Sequence, residues 1–277
     1  MEKTKRDVMT IAVASGKGGV GKTNLVANLA IAFKRLGRRP MIIDADLGLS
    51  NIDVLLNLAP RYNIQHLLRG EKSLKEILVQ GPEGILILPA SSGVQELTSL
   101  NEFQRLRILE EFDSLDLDID TLLIDTSAGI SENVAFFCIA AQEIIVVTSP
   151  EPTAITDAYA LIKVLFNRYQ EREFHILVNS VRTETEAVEV FKRLSIATER
   201  FLNISINYLG FIPLDYSVPK AVRAQKAFIS AYPECLASIQ VMEIASQILD
   251  TEKKKGPKGS LQFFIGNLVS AGERITG

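Results

Sequence analysis

The chain contains no tryptophan, two cysteines and two histidines in 277 residues. Cys138 and Cys235 stand far apart and form no Cys-x-x-Cys pair, which argues against an iron–sulfur or zinc centre built on thiols. Both lie among apolar residues and read as buried thiols of a reducing compartment. His66 and His175 have no motif partners and read as structural. No Ser/His/Asp or Cys/His set is evident. A strong excess of one charge is also missing: the net charge is −3. That gives no support for broad nucleic-acid binding, and no direct sequence-specific contact with nucleic acid is expected. No apolar run is long enough to span a bilayer. The first seven residues lack the apolar stretch of a signal peptide, so the body of the protein is expected in the cytoplasm. Neither an internal repeat nor a long low-complexity segment is present.

What remains is an ordered globular chain, 47% hydrophobic and 23% charged, long enough for one large core. Short apolar runs rich in Val, Ile and Leu predict strands at Met9–Ala14, Arg39–Asp44, Gly84–Pro89, Thr121–Asp125, Glu143–Thr148, Glu173–Asn179 and Tyr208–Ile212. Nearly continuous apolar character marks strands covered on both faces, hence a mostly parallel sheet. Helical patterns fall between them: Lys22–Leu36, Ile64–Leu68, Leu74–Leu78, Asn101–Asp113, Ile130–Ala140, Ala154–Gln170, Glu184–Phe201, Val218–Ala224 and Tyr232–Leu249. The alternation predicts a doubly wound α/β domain over residues 1–250. Thr251–Ser260, a charge run with Gly and Pro, reads as a flexible linker. Ligands of such sheets sit beyond the carboxyl ends of the strands.

Gly16, Lys17, Gly18, Gly19, Val20, Gly21, Lys22, Thr23 and Asn24 follow the first strand directly. They satisfy the phosphate-loop pattern G-x-x-x-x-G-K-[ST] between a strand and a helix. Glycines let backbone N–H groups face phosphate oxygens, Lys22 would reach the β- and γ-phosphates, and Thr23 would hold Mg²⁺. The helix that follows adds its positive dipole end. Two strand ends supply carboxylates. The second runs into Asp44-Ala45-Asp46, and the fourth gives four apolar residues then Asp125, the form that holds Mg²⁺ indirectly.

Lys17, second in the loop, resembles the signature lysine of the MinD/ParA-like deviant phosphate-loop ATPases. In that family this lysine reaches across a dimer to the partner's nucleotide. The resemblance covers nearly the whole chain and implies an ATP-switched, Mg²⁺-dependent homodimer with slow hydrolysis until Lys17 arrives in trans. It implies that Lys17, Lys22 and Asp46 are catalytic, with Asp46 positioning the attacking water and standing with Thr23 and Asp125 at the metal. Asn51 matches an asparagine near the γ-phosphate. Asp125-Thr126-Ser127-Ala128-Gly129 resembles switch II, Gly129 giving the backbone freedom to approach the γ-phosphate. Glu151 matches a segment facing the other protomer's nucleotide, for which helix capping by Thr153 is a competing account. Asn179 would read the amide edge of adenine, being both donor and acceptor. Pro213, Leu214 and Asp215 match the loop closing over the base.

Leu261, Phe264, Ile265, Leu268, Val269, Ala271 and Ile275 share one arc of roughly 160° on a helical wheel. Residues 261–277 are therefore expected to form an amphipathic helix that lies on an anionic membrane surface or else folds back on its own core or a partner. Lys253, Lys254, Lys255 and Lys258 would each add about 1 kcal/mol of attraction close to such a surface. MinD-like ATPases carry helices of this kind, which implies a peripheral location at the inner face of the cell membrane in the ATP state.

Within the family, the segments Asp44–Leu56 and Glu151–Lys163 and the tail Gly259–Phe264 look like the flagellar-number regulators, the FleN/FlhG group. The implied partners are a flagellar master transcription activator and the flagellar signal-recognition-type GTPase. The N-terminus shows no D-Q-A-x-x-L-R element, which puts activation of that GTPase in doubt. Ser15 stands where many relatives have Gly, a change expected to be without consequence. A division-site MinD-like ATPase or a ParA-like partition ATPase is the alternative, the latter needing a basic DNA-binding face.

Overall fold

The computed structural model describes residues 8–46, 51–89, 111 and 118–255. Eight strands form one sheet: β1 Met9–Ser15, β2 Pro40–Ala45, β3 Val79–Gln80, β4 Leu86–Leu88, β5 Thr121–Ala128, β6 Glu143–Thr148, β7 His175–Val181 and β8 Asn207–Pro213. Their order is β3-β4-β2-β5-β1-β6-β7-β8, and every pairing is parallel except that of β3 with β4. All seven residues of β1 and all six of β2 are buried, as their unbroken apolar character requires. Side chains alternate between two cores. Ile11 and Val13 join one, Ala12 and Ala14 the other.

The first core is closed by α1 (Lys22–Arg35), α2 (Ile52–Leu55), α8 (Ser217–Arg223), α9 (Phe228–Ala231) and α10 (Leu236–Lys255). Opposite lie α3 (Ile64–Leu68), α4 (Leu74–Ile77), α5 (Glu132–Ala140), α6 (Pro152–Tyr169) and α7 (Glu184–Leu202). Helix α1 is buried almost all round and packs along α10. Both histidines brace the frame. His66 completes the capping box of α3 with Asn63. His175 Nε2 and Glu143 Oε2 lie 2.8 Å apart across β7 and β6.

The doubly wound, mostly parallel sheet is as expected, and most boundaries agree to one or two residues. Three departures have local causes. The expected helix Leu74–Leu78 ends at Ile77, because Leu78 is already extended and leads into the two-residue edge strand β3. A single helix over Tyr232–Leu249 is not formed. Tyr232 precedes Pro233, which disfavours helical backbone; Tyr232 adopts φ −138°, and α10 starts at Leu236. The Tyr232 carbonyl then accepts from Cys235 N–H and the Ser238 hydroxyl. At its other end α10 runs to Lys255, five residues into the stretch 251–260 expected as linker. Glu and Lys are good helix formers, so charge alone does not end a helix. The expected helix Asn101–Asp113 and the amphipathic tail 261–277 lie outside the described residues, apart from Glu111, whose carboxylate accepts from Leu74 N–H at 2.8 Å.

Candidate functional site

The loop after β1 enters a crevice at the carboxyl ends of β1 and β5, where the chain reverses direction across the sheet. Gly19 and Gly21 have φ of +81° and +90°, a left-handed backbone that turns the chain into α1. Gly21 caps α1 without any side chain, so the N–H groups of its first turn face the crevice. A cavity of about 610 Å³ opens here. Gly18, Gly19, Val20, Gly21, Lys22, Thr23 and Asn24 line it on one side, and Asp46, Asn51 and Ala128 on others. Ser15 is not idle: its hydroxyl donates to the Lys17 carbonyl at 3.0 Å and braces the turn.

Lys22 Nζ donates to Asp125 Oδ1 at 2.8 Å and also to the Thr126 carbonyl. Burial pushes the Asp125 carboxyl above the ordinary carboxylate range, while the Lys22 ammonium and the Thr23 hydroxyl pull it back down. The charge of Asp46 nearby adds to the rise. Asp125 Oδ2 is buried and has no hydrogen-bond partner. An orphaned carboxylate oxygen beside Thr23, behind the Lys22 and Thr23 that line the cavity, fits Mg²⁺. Among the described residues no group of three or more His, Cys, Asp or Glu gathers to hold a metal. Mg²⁺ would accordingly be held by Thr23, by Asp125 through water, and by phosphate oxygens, with Asp46 at the same rim. Asp46 is steadied from behind by its own N–H, which donates to Asp44 Oδ1 at 3.1 Å.

A second cavity of about 150 Å³ shares Gly19, Gly21 and Asn24 with the first, so the two form one cleft. Asn179, Pro213, Leu214 and Asp215 line it. Asn179 Nδ2 donates to the Val20 carbonyl at 2.7 Å, leaving its oxygen to accept from a base. This close approach is what Gly21 permits: a Cβ there would stand 2.2 Å from Asn179 Nδ2. Asp215 has a further duty. Its two oxygens accept from Ser217 N–H at 2.8 Å and Ala237 N–H at 3.3 Å, tying the 213–215 loop to the starts of α8 and α10.

Lys17 and Glu151 are brought together within one chain. Lys17 Nζ pairs with the Glu151 carboxylate and donates to Thr153 Oγ1 at 3.0 Å. Thr153 does not cap α6. Glu151 is the cap residue, without a side-chain cap bond, and the Thr153 hydroxyl instead receives the lysine. Gly16 makes this possible, since a Cβ on it would lie 2.1 Å from the backbone of Asp157. Neither Lys17 nor Glu151 lines either cavity. Residues that no motif announced also wall the cleft: Val54 and Leu55 of α2, with Val222 and Gln225 at the end of α8.

Comparison with known proteins agrees with this geometry. The family model for the CobQ/CobB/MinD/ParA nucleotide binding domain matches residues 11–228. The antiactivator FleN of Pseudomonas aeruginosa is 42% identical over 95% of this chain and 94% of its own. The flagellum site-determining protein YlxH of Helicobacter pylori is 33% identical over 96% of this chain and 91% of its own. A chain of the MinC:MinD cell division complex of Aquifex aeolicus superposes with a TM-score of 0.69 at 28% identity, covering 88% of this chain and 96% of that one. With a complete phosphate loop at the crevice and this extent of likeness, the chain belongs to the CobQ/CobB/MinD/ParA nucleotide-binding family.

Proposed function

We propose that the protein is an ATP-dependent dimerising switch that limits flagellar number by restraining a flagellar master transcription activator. One observation carries the nucleotide part. The phosphate loop and the pocket beside Asn179 form a single cleft through Gly19, Gly21 and Asn24. Likeness to the antiactivator FleN and to the flagellum site-determining protein YlxH, along nearly the whole chain, supports the flagellar part.

In this reading Asn179 and the 213–215 loop hold adenine, and the loop N–H groups with Lys22 hold the phosphates. Mg²⁺ supplies charge neutralisation at the phosphate oxygens when bound. Asp46 orients water for attack, and catalysis is by positioning and electrostatics without a covalent intermediate. Lys17 must leave Glu151 and Thr153 to reach a partner's nucleotide. That exchange is inexpensive. The Lys17 and Glu151 side chains are 36% and 65% exposed, and an ion pair so open to water holds by about 1 kcal/mol or less. Two buried nucleotides offer the ammonium more charge than Glu151 does. Hydrolysis is therefore slow in the single chain and rises on pairing.

No helix among the described residues is long and apolar enough to cross a membrane. Membrane attachment in this reading belongs to the tail 261–277 with its preceding lysines, and liposome flotation with ATP but not ADP is the expected behaviour. The experiment that tests the whole proposal is a deletion strain. Loss of the gene should raise the number of flagella per cell, and the wild-type chain should restore it where Lys17→Ala does not. Unchanged flagellar number on deletion would contradict the proposal.

A further inference from the structure

Helix α8 spans the cleft from end to end. Val218 and Pro219 line the base pocket, whereas Val222 and Gln225 line the phosphate cavity. Gln225 follows the last turn of α8 with a φ of +51°, a backbone that L side chains seldom adopt. From there its Nε2 donates to the Val54 carbonyl of α2 at 2.9 Å. The two residues are 171 positions apart, and the bond closes the wall of the cavity opposite the phosphate loop.

Both ends of this strap matter. The far end is fixed, because Ile229 N–H, at the start of α9, donates to the buried Asn28 Oδ1 of α1 at 2.9 Å. Arg35 donates to the Ile229 carbonyl at 3.1 Å. The near end is weak by nature. Four residues of helix cannot sustain themselves, and α2 relies on burial of Ile52 and Leu55 and on outside contacts. Asn51 starts that turn, accepting Leu55 N–H on its carbonyl at 2.9 Å, and it faces the cavity together with Asp46. In the adenine-nucleotide reading, α8 and the Gln225–Val54 bond thus join the base pocket to the segment that carries Asn51.

We propose that Gln225 is a positioning residue whose amide ties α2 to α8, so that the base, and not phosphate alone, sets the Asn51–Asp46 wall of the cavity. The inference rests on the adenine nucleotide reading of the cleft. Its test is amide hydrogen exchange of the full chain over residues 51–58, with Mg-ADP compared with Mg-pyrophosphate. In the wild type, ADP should slow exchange about 5-fold more than pyrophosphate does. Gln225→Glu keeps the size but loses the donor, and Gln225→Gly relieves the backbone and loses the amide. Both should shrink that difference to about 2-fold or less, each variant being read at ligand concentrations that saturate it. Gln225→Lys, which keeps a donor, should restore the difference. Equal slowing by the two ligands in the wild type, or the wild-type difference persisting in Gln225→Glu and Gln225→Gly, would overturn the role of Gln225 while leaving ADP binding intact. No ADP binding by the wild type would overturn the nucleotide reading and this inference with it.

Discussion

Lys22 and Asp125 form a buried ion pair behind the phosphate loop, 2.8 Å apart with side chains 7% and 1% exposed. The pair gives Lys22 a partner that does not depend on a phosphate. Removing one partner leaves the other charge buried and uncompensated, so Lys22→Met should cost about 3 kcal/mol in urea unfolding at pH 8. The double variant Lys22→Met/Asp125→Leu should lose less than the single one. Because burial already raises Asp125, the carboxyl of the single variant takes up a proton as pH falls, and the deficit should narrow toward acid. A double variant no better than the single would contradict this account.

The Lys17–Glu151 pair is of the opposite kind, exposed and exchangeable. Glu151→Gln should change stability by about 1 kcal/mol or less. Lys17→Ala should bind ADP within about 3-fold of wild type, since its ammonium lies outside both cavities, yet fail to pair with ATP. Isothermal calorimetry and sedimentation separate the two effects. Loss of ADP affinity in Lys17→Ala would place the lysine in its own chain's site instead.

Gly16 carries the packing of the loop on α6. A Cβ there meets backbone atoms of Asp157 at 2.1 Å, which no side-chain movement relieves. Gly16→Ala should destabilise the chain by about 1–3 kcal/mol. It should also displace Lys17 from Thr153, visible as a lost protection of the first turn of α6. A neutral effect would mean that the loop and helix separate freely.

The two thiols should differ sharply. Burial holds the Cys138 thiol up at about 12, and Cys235 is half-buried. A raised value means that the neutral thiol favours the folded chain at pH below 9 and that this advantage fades only as pH rises toward 12. Ellman's reagent at pH 8 should modify Cys235 in the native chain and both thiols in denaturant. Rapid native labelling of Cys138 would contradict its burial.

Much of this was legible in the residues themselves. Short runs such as Leu122–Ile124, ended by a carboxylate and alternating with longer helical patterns, read as strands covered on both sides, and the loop Gly16–Thr23 names its own chemistry. What escaped depends on partners distant in sequence. Nothing near Gln225 indicates that its amide meets Val54, because the bond is made by the fold. Thr153 reads as a cap until the loop places a lysine on it. Asp215 reads as a base contact until the start of α10 brings Ala237 N–H to its carboxylate. The break before Leu236 has a local cause in Pro233, but the helical apolar period runs across it in the sequence. Short edge pieces such as β3 carry too few residues for any period to register.

The most direct test is sedimentation velocity of Asp46→Ala, which should hold ATP unhydrolysed, in Mg-ATP and in Mg-ADP. The account predicts a dimer with ATP and a monomer with ADP. A monomer in both would contradict it.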